Sequence, residues 1–370
     1  MMSWRYAPFM PIRRIFVSKA SFIYLSQEDA IKYGAADVAA TNRDVERTVV
    51  LTYQGKAIEA PTATLFWDVD PDKLKGPFVG YPSKKRANIH AGFLDDDGVK
   101  KVAIKNIPSN PDNPKNGYGP RASGLVTILD SESGYPLALM DAMVISCMRT
   151  GCLGALGVKY LRSSTATTVA LIGVGPINQA AILATADVMP ELKKAYVFDF
   201  DEARARKFAD KFSAQLGIEI VVCATAKDAI VDADVVIPAT SVQNKDAAYI
   251  EYGWLKKGAL FVDLSLWDAK YEVFEKADAM FTNSDLVMER KTMTPACLVA
   301  EGITTEEKLI DIGGVISGET AGRRSDGDII VYFARGMALY DVMSGYRVYE
   351  NARKAQEAPE LSLWEQEFWL

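Results

Sequence analysis

Histidine is almost absent from this 370-residue chain: His90 is the only one. The four cysteines, Cys147, Cys152, Cys223 and Cys297, form no C-x-x-C pair. This composition excludes an ordinary Cys/His zinc site, and no metal is expected. Scattered thiols of this kind fit a reducing compartment. The chain also lacks any run of about 18 apolar residues that could span a bilayer. No clean apolar stretch accompanies Arg5, Arg13 and Arg14, so no signal peptide and a cytoplasmic location are expected. Positive charge is not in excess: 42 Lys and Arg stand against 48 Asp and Glu, a net charge of -6. That argues against broad nucleic-acid or anionic-membrane binding. Internal repeats and low-complexity segments are absent as well.

What is there is an ordinary globular composition, 49% hydrophobic and 24% charged. At this length two domains are the natural expectation. The first third mixes a short helix after a Ser26 cap, a proline-bearing stretch over 61–82, and strands around Val102, Ile104, Leu125, Val126 and Ile128. Between these strands lies a loop rich in Pro, Asn and Gly, residues 108–120. Residues 141–161 read as one helix carrying Ala142, Gly151, Gly154, Ala155 and Gly157, small enough to let another backbone approach.

From Thr167 the pattern becomes a regular alternation. Apolar strands at 168–172, 195–200, 218–223, 235–239 and 260–264 alternate with helices, first at 176–188 and 202–216. This is the signature of a doubly wound parallel sheet, an α/β Rossmann domain. The expected organisation is a first part over 1–150, a Rossmann insertion over 151–312, and a return to the first domain over 313–370. The segment 329–333 reads as a strand, and a long helix begins near Gly336.

The sequence TVALIGVGPIN places Gly173, Val174 and Gly175 at a strand-to-helix turn, with Pro176, Ile177 and Asn178 opening the helix. Such a turn brings free N–H groups and the positive end of a helix dipole to a pyrophosphate. Asn178 stands where the third glycine of G-x-G-x-x-G is usual. Asp199, at the end of the next strand, is placed to accept the ribose hydroxyls of NAD and to repel the 2′-phosphate of NADP. Arg204 and Arg206 follow closely, so NADP is not excluded. Thr240, Ser241 and Ser265 follow later strands and are expected to line the cofactor cleft, with capping as the alternative.

Four stretches resemble the ornithine cyclodeaminase/μ-crystallin family: ASGLVTILDSESGYPLALMDAMVISCMRTG, LIGVGPINQ, FVDLSLWDAKYEVF and SGETAGRRSDGDIIVYFARGMALYDVMSGYRVY. The helix that carries Arg149-Thr150 and the segment from Tyr249 to Ala259 are most similar to its N-(2-amino-2-carboxyethyl)-L-glutamate dehydrogenase branch. The resemblance implies a homodimer whose second, α+β domain binds substrate and forms the dimer. It further implies NAD-dependent chemistry at the C–N bond of an amino acid: oxidative cleavage of a secondary amine, cyclisation with recycled NAD, or imine reduction. A non-catalytic dinucleotide-binding protein is the alternative of another kind.

By that resemblance Asp268 is the catalytic acid/base, Arg149 and Lys105 meet the substrate carboxylate or imine, and Thr150 meets cofactor phosphate. Read from the residues alone, Lys105 in VAIKNI is a cation among apolar strand residues, which is costly unless paired. A guanidinium at Arg149 suits bidentate carboxylate binding. The alternatives are a helix cap for Asp268, a surface ion pair for Arg149 and an edge-strand position for Lys105. Lys270 and Arg323 are secondary substrate-binding candidates. Relatives carry an arginine ahead of the Lys105 strand; here the nearest cations are Lys84, Lys85 and Arg86. Tyr252-x-x-x-Lys256 has the spacing of a short-chain dehydrogenase pair but lacks that fold's N-terminal glycine motif, and is read as surface.

Overall fold

The computed structural model describes residues 19–69, 83, 85–242, 245–289 and 293–366. Two sheets organise it. The first is built from both chain ends: β1 (Ala20–Leu25), β2 (Ala57–Glu59), β3 (Ala63–Phe66), β4 (Arg86–Asp96), β5 (Val99–Ser109), β6 (Leu125–Leu129), β7 (Pro136–Asp141) and β16 (Glu360–Trp364). Its order is β16-β1-β7-β6-β5-β4-β2, with β3 also on β4. All its pairs are antiparallel except β1 with β7.

Side chains alternate across this sheet. One face of β5 buries Lys101, Ala103 and Lys105, and the facing residues of β4 include Leu94, Gly92 and His90. The last helix, α10 (Ala338–Ala355), lies on that face: a Cβ added at Gly92 would stand 3.0–3.4 Å from Leu339, Val342 and Ala338. Helix α1 (Gln27–Lys32) begins at Ser26, whose hydroxyl accepts from Asp29 N–H while Asp29 accepts from Ser26 N–H, a reciprocal cap. Helix α2 (Val38–Tyr53) follows it.

Helix α3 (Met143–Leu161) leads into the second sheet. That sheet comprises β8 (Thr168–Ile172), β9 (Lys194–Phe198), β10 (Glu219–Val222), β11 (Val235–Pro238), β12 (Leu260–Asp263), β13 (Ala279–Thr282), β14 (Leu309–Asp311) and β15 (Ile330–Phe333). Its order is β10-β9-β8-β11-β12-β15-β13-β14, and every pair is parallel. Its helices are α4 (Pro176–Val188), α5 (Glu202–Leu216), α6 (Ala226–Ile230), α7 (Tyr271–Glu275), α8 (Thr294–Ala300) and α9 (Ile312–Ile316). The first five strands thus run in Rossmann order, with the reversal between β8 and β11. Helix α3 packs on α4 so closely that a Cβ on Gly151 would stand 2.5 Å from Ala181 N.

Two details differ from the sequence reading. The expectation returned the chain to the first domain at residue 313, but β15 pairs with β12 and β13 inside the parallel sheet. Its four residues are all buried, like those of β11 and β12, and such a short apolar run carries no signal of which sheet it joins. The crossing back to the first sheet falls at the junction of β15 and α10. Strands β1 and β16, which pair with each other across the chain ends, were not anticipated.

Candidate active site

The turn after β8 is a cradle. Gly173 adopts φ +82°, the left-handed region that favours glycine, against Ala239 O and Thr240. A Cβ on Gly175, the N-cap of α4, would meet nothing within 4 Å, so the backbone is open to an approaching phosphate. Pro176 occupies the first turn of α4, where its missing N–H is no loss. These features fit a dinucleotide pyrophosphate over Gly173 to Ile177.

Asn178 does something else. It is fully buried, and its Nδ2 donates to Ile172 O at 3.2 Å, Gly173 O at 2.6 Å and Ile237 O at 3.3 Å. It ties the turn to β8 and β11 and does not face the cleft, which corrects its reading as a cofactor ligand.

Asp199 accepts from Val174 N–H at 2.9 Å, from Asp201 N–H at 3.0 Å and from Arg204 at 2.7 Å. Burial opposes its charge, but these donors outweigh it and hold the carboxyl below its usual range. The guanidinium of Arg204 therefore lies on the acid. Replacing Asp199 with Ala is expected to free Arg204 and shift the NAD/NADP ratio of kcat/KM toward NADP by about 10- to 100-fold, the worth of a charged hydrogen bond. Steady-state kinetics with both cofactors checks this; an unchanged ratio removes Asp199 from cofactor selection.

At the same carboxyl edge of the sheet lies Asp268, entirely buried in the loop after β12. Three hydroxyls donate to its carboxylate: Thr240 at 2.5 Å, Tyr249 at 3.1 Å, and Ser265. Burial pushes its carboxyl up, and the three hydroxyls pull it back only in part. Thr240 thus touches both the glycine turn and the acid, while Ser265 serves the acid and Pro238 O. Ser241 is exposed. Behind this network Arg335 forms a buried ion pair with Asp263 and donates to Ser265 O, fixing the loop from below.

The chain then passes from Arg335 through Gly336 into α10, and Gly336 lies against the guanidinium of Arg149. Arg149 Nε donates to Asp341 at 3.3 Å, and Lys105 Nζ donates to the same carboxylate at 2.6 Å. Lys105 comes from interior strand β5 and is 3% exposed, so the edge-strand alternative does not hold. Burial drives its ammonium down to about 8, with Arg149 adding to the fall and Asp341 resisting it. On Asp341 burial is outweighed by Arg149 and Lys105, and the carboxyl stays below its usual range. Two cations in direct contact share one carboxylate. Glu59, the next acid, accepts from Ala338 N–H at 2.6 Å at the start of α10. Its charge also favours the protonated form of Lys105, so two carboxylates face the two cations.

The remaining candidates have the following partners. Thr150 donates to Ser146 O at 2.6 Å within α3. Lys270 pairs with Glu251 at 2.6 Å on the surface, which corrects its reading as a substrate ligand. Arg323 donates to Leu161 O, Ser325 O and Asp328 O. Leu161 ends α3, ~18 Å along the helix from Arg149 at 1.5 Å per residue, so Arg323 holds a loop and is not at this site. Lys84 lies outside the described residues, and Lys85 pairs with Asp68. Lys256 pairs with Asp234 at 2.7 Å beside a single 3₁₀ turn over Tyr252–Trp254. Among the described residues no cluster could hold a metal and no helix is long and apolar enough to cross a membrane. Asp341, Tyr249, Asp263 and Arg335 were not singled out from the sequence; the phrase FARGMALYD held two of them, but nothing local marks their partners.

A parallel sheet in Rossmann order with this turn at its reversal defines a dinucleotide-binding fold. The sequence profile of the ornithine cyclodeaminase/mu-crystallin family matches residues 38–356, and the chain belongs to that family. It is 34% identical over 264 residues to the N-((2S)-2-amino-2-carboxyethyl)-L-glutamate dehydrogenase of Staphylococcus aureus, covering 70% of this chain and 77% of that one. Its fold matches the Δ1-pyrroline-2-carboxylate reductase of Thermococcus litoralis, solved with NADH and L-proline, at TM-score 0.78 and 24% identity over 91% of this chain and 99% of that one. It also matches an archaeal alanine dehydrogenase dimer with bound NAD, at TM-score 0.79 and 24% identity over 93% of this chain and 100% of that one.

Proposed function

We propose that this chain is an NAD-dependent oxidoreductase that cleaves a secondary-amine amino acid of the N-(2-amino-2-carboxyethyl)-L-glutamate type. With water and NAD the products are 2,3-diaminopropionate, 2-oxoglutarate, NADH and a proton. The observation that carries the reading is the contiguity of Gly173, Thr240 and Asp268, which sets a buried carboxyl beside the dinucleotide cradle. The likeness to the staphylococcal dehydrogenase supplies the substrate class.

NAD, when bound, supplies the two-electron acceptor for hydride from the carbon bearing nitrogen. The substrate amine must be neutral before that carbon can give up hydride. Asp268, with its proton affinity raised by burial, takes the ammonium proton and later assists water in attacking the C=N bond. Hydrolysis then breaks the C–N bond and releases the amine. Arg149 and Lys105, held by Asp341, bind the substrate carboxylate and fix the reacting carbon. Arg86, on the same sheet face as Lys105, is a further substrate ligand. A panel of this amine, ornithine, lysine and N-alkyl amino acids, read by NADH and product mass, tests the reading. Proline from ornithine without net NADH would replace it with cyclodeamination.

The protein is further expected to be a homodimer in a reducing cytoplasm. The outer face of the first sheet exposes Ile58, Leu65, Ile89, Ile104 and Leu125, an apolar patch in want of a partner. Light scattering should give twice 40.6 kDa. A monomer at working concentration would contradict this.

A further inference from the structure

Asp268 is 0% exposed, yet its proposed task is to take a proton from the substrate ammonium. A carboxylate closed to water is closed to an amine as well. The proton must therefore cross a group that touches both the cleft and the acid.

Three hydroxyls touch the acid: Ser265, Tyr249 and Thr240. Ser265 divides its one hydrogen between Asp268 and Pro238 O, the latter at 3.1 Å. Tyr249 arrives from a segment bonded to the acid's own backbone, since the N–H groups of Tyr249 and Ile250 both donate to Asp268 O at 2.9 Å. Thr240 differs in place. It stands two residues past β11, at the reversal of strand order between β8 and β11, where sheets of this kind receive their ligands. It is half-buried, and its Cγ2 lies 3.6 Å from where a Cβ on Gly173 would stand. It thus meets the cradle on one side and Asp268 on the other.

Its valences fit a relay. A hydroxyl has one hydrogen and two lone pairs. The hydrogen of Thr240 goes to Asp268 at 2.5 Å, and one lone pair accepts from Val242 N–H at 3.3 Å. The neighbouring phenol of Tyr249 has its one hydrogen committed to Asp268 at 3.1 Å. One lone pair of Thr240 is left for a donor in the cleft.

We propose that Thr240 is a catalytic relay, whose hydroxyl accepts the substrate's ammonium proton while passing its own hydrogen to Asp268. This deepens the functional reading above and rests on it for the reaction. One N–H bond of the ammonium breaks as an O–H bond forms on Thr240. The original O–H bond of Thr240 breaks as one forms on Asp268. The substrate loses one positive charge, Asp268 loses its negative charge, and Thr240 ends neutral as it began. The same path in reverse returns the proton to nitrogen as the C–N bond breaks.

The test is pre-steady-state NADH formation from the amine panel at saturating NAD, with cofactor affinity measured by calorimetry on the same full-length proteins. Thr240→Val removes the hydroxyl and keeps the branched shape. It should slow NADH formation by about 10²–10⁴-fold, as Asp268→Asn does. Thr240→Ala should repeat the loss, and Thr240→Ser, which keeps the hydroxyl, should recover most of it. Thr240→Val combined with Asp268→Asn should be no slower than Asp268→Asn alone, because residues that act as one unit are not additive. Losses that multiply in the double variant overturn the relay. So does a Thr240→Val rate within about tenfold of the parent, which means that Asp268 is reached directly. A loss that more NAD restores also overturns it and makes Thr240 a cofactor ligand only. A larger loss in Tyr249→Phe than in Thr240→Val overturns it by moving the path to the phenol. An active parent with an active Thr240→Val thus rejects the relay alone, whereas a parent silent with every amine rejects the functional reading and the relay with it.

Discussion

Asp268→Asn should lower turnover by about 10²–10⁴-fold, the usual worth of a positioned acid/base, and leave NAD affinity unchanged. The amide keeps the size and can still accept from Thr240, Tyr249 or Ser265, but it cannot take a proton from the substrate ammonium. The pH profile carries the same argument. Activity requires the carboxylate, so it should rise with pH through the upward-shifted titration of Asp268. It should fall again as Lys105 loses its proton near pH 8, because neutral Lys105 no longer balances the substrate carboxylate. The acid limb should vanish from the residual activity of Asp268→Asn. Pre-steady-state NADH formation across pH checks both limbs. A variant with parent turnover would make Asp268 a structural residue.

Asp341→Asn should have the second large effect, on stability and activity together. In the parent one buried carboxylate balances Lys105 and Arg149. Removing its charge leaves two neighbouring cations in a place almost without water. Breaking a buried ion pair in this way costs about 3–5 kcal/mol. Lys105 should also lose its proton more readily, since Asp341 is the strongest influence resisting its downward shift. The alkaline limb should therefore move to lower pH. Denaturant unfolding and the pH–rate profile measure the two consequences. Parent-like stability would mean that another acid, with Glu59 the nearest candidate, balances the cluster.

Where the sequence was informative, it was so for local reasons. The Rossmann strands announce themselves as short apolar runs, the first two of them followed by helices of full length. The turn at Gly173 shows because its left-handed backbone favours glycine. Lys105 stood out as a charge among apolar strand residues. What was hidden depends on distance along the chain. Lys105 and Asp341 are 236 residues apart, and no local pattern links them. Arg335 and Asp263, 72 apart, read separately as the end of one strand and the start of a helix. Asn178 misled because its position in the motif belongs to a glycine that lets helix and sheet approach. Here a buried amide instead ties the turn to two strands. Lys270 and Arg323 misled because a cation near a glycine or a cap looks the same in sequence whether it holds a ligand or a carbonyl.

The most direct test of the account is the stoichiometry of one reaction: purified protein, NAD and N-(2-amino-2-carboxyethyl)-L-glutamate. The account predicts one NADH, one 2-oxoglutarate and one 2,3-diaminopropionate for each substrate consumed, with the reaction suppressed in Asp268→Asn. Consumption of the amine without net NADH, or NADH formed without release of a keto acid, would contradict it.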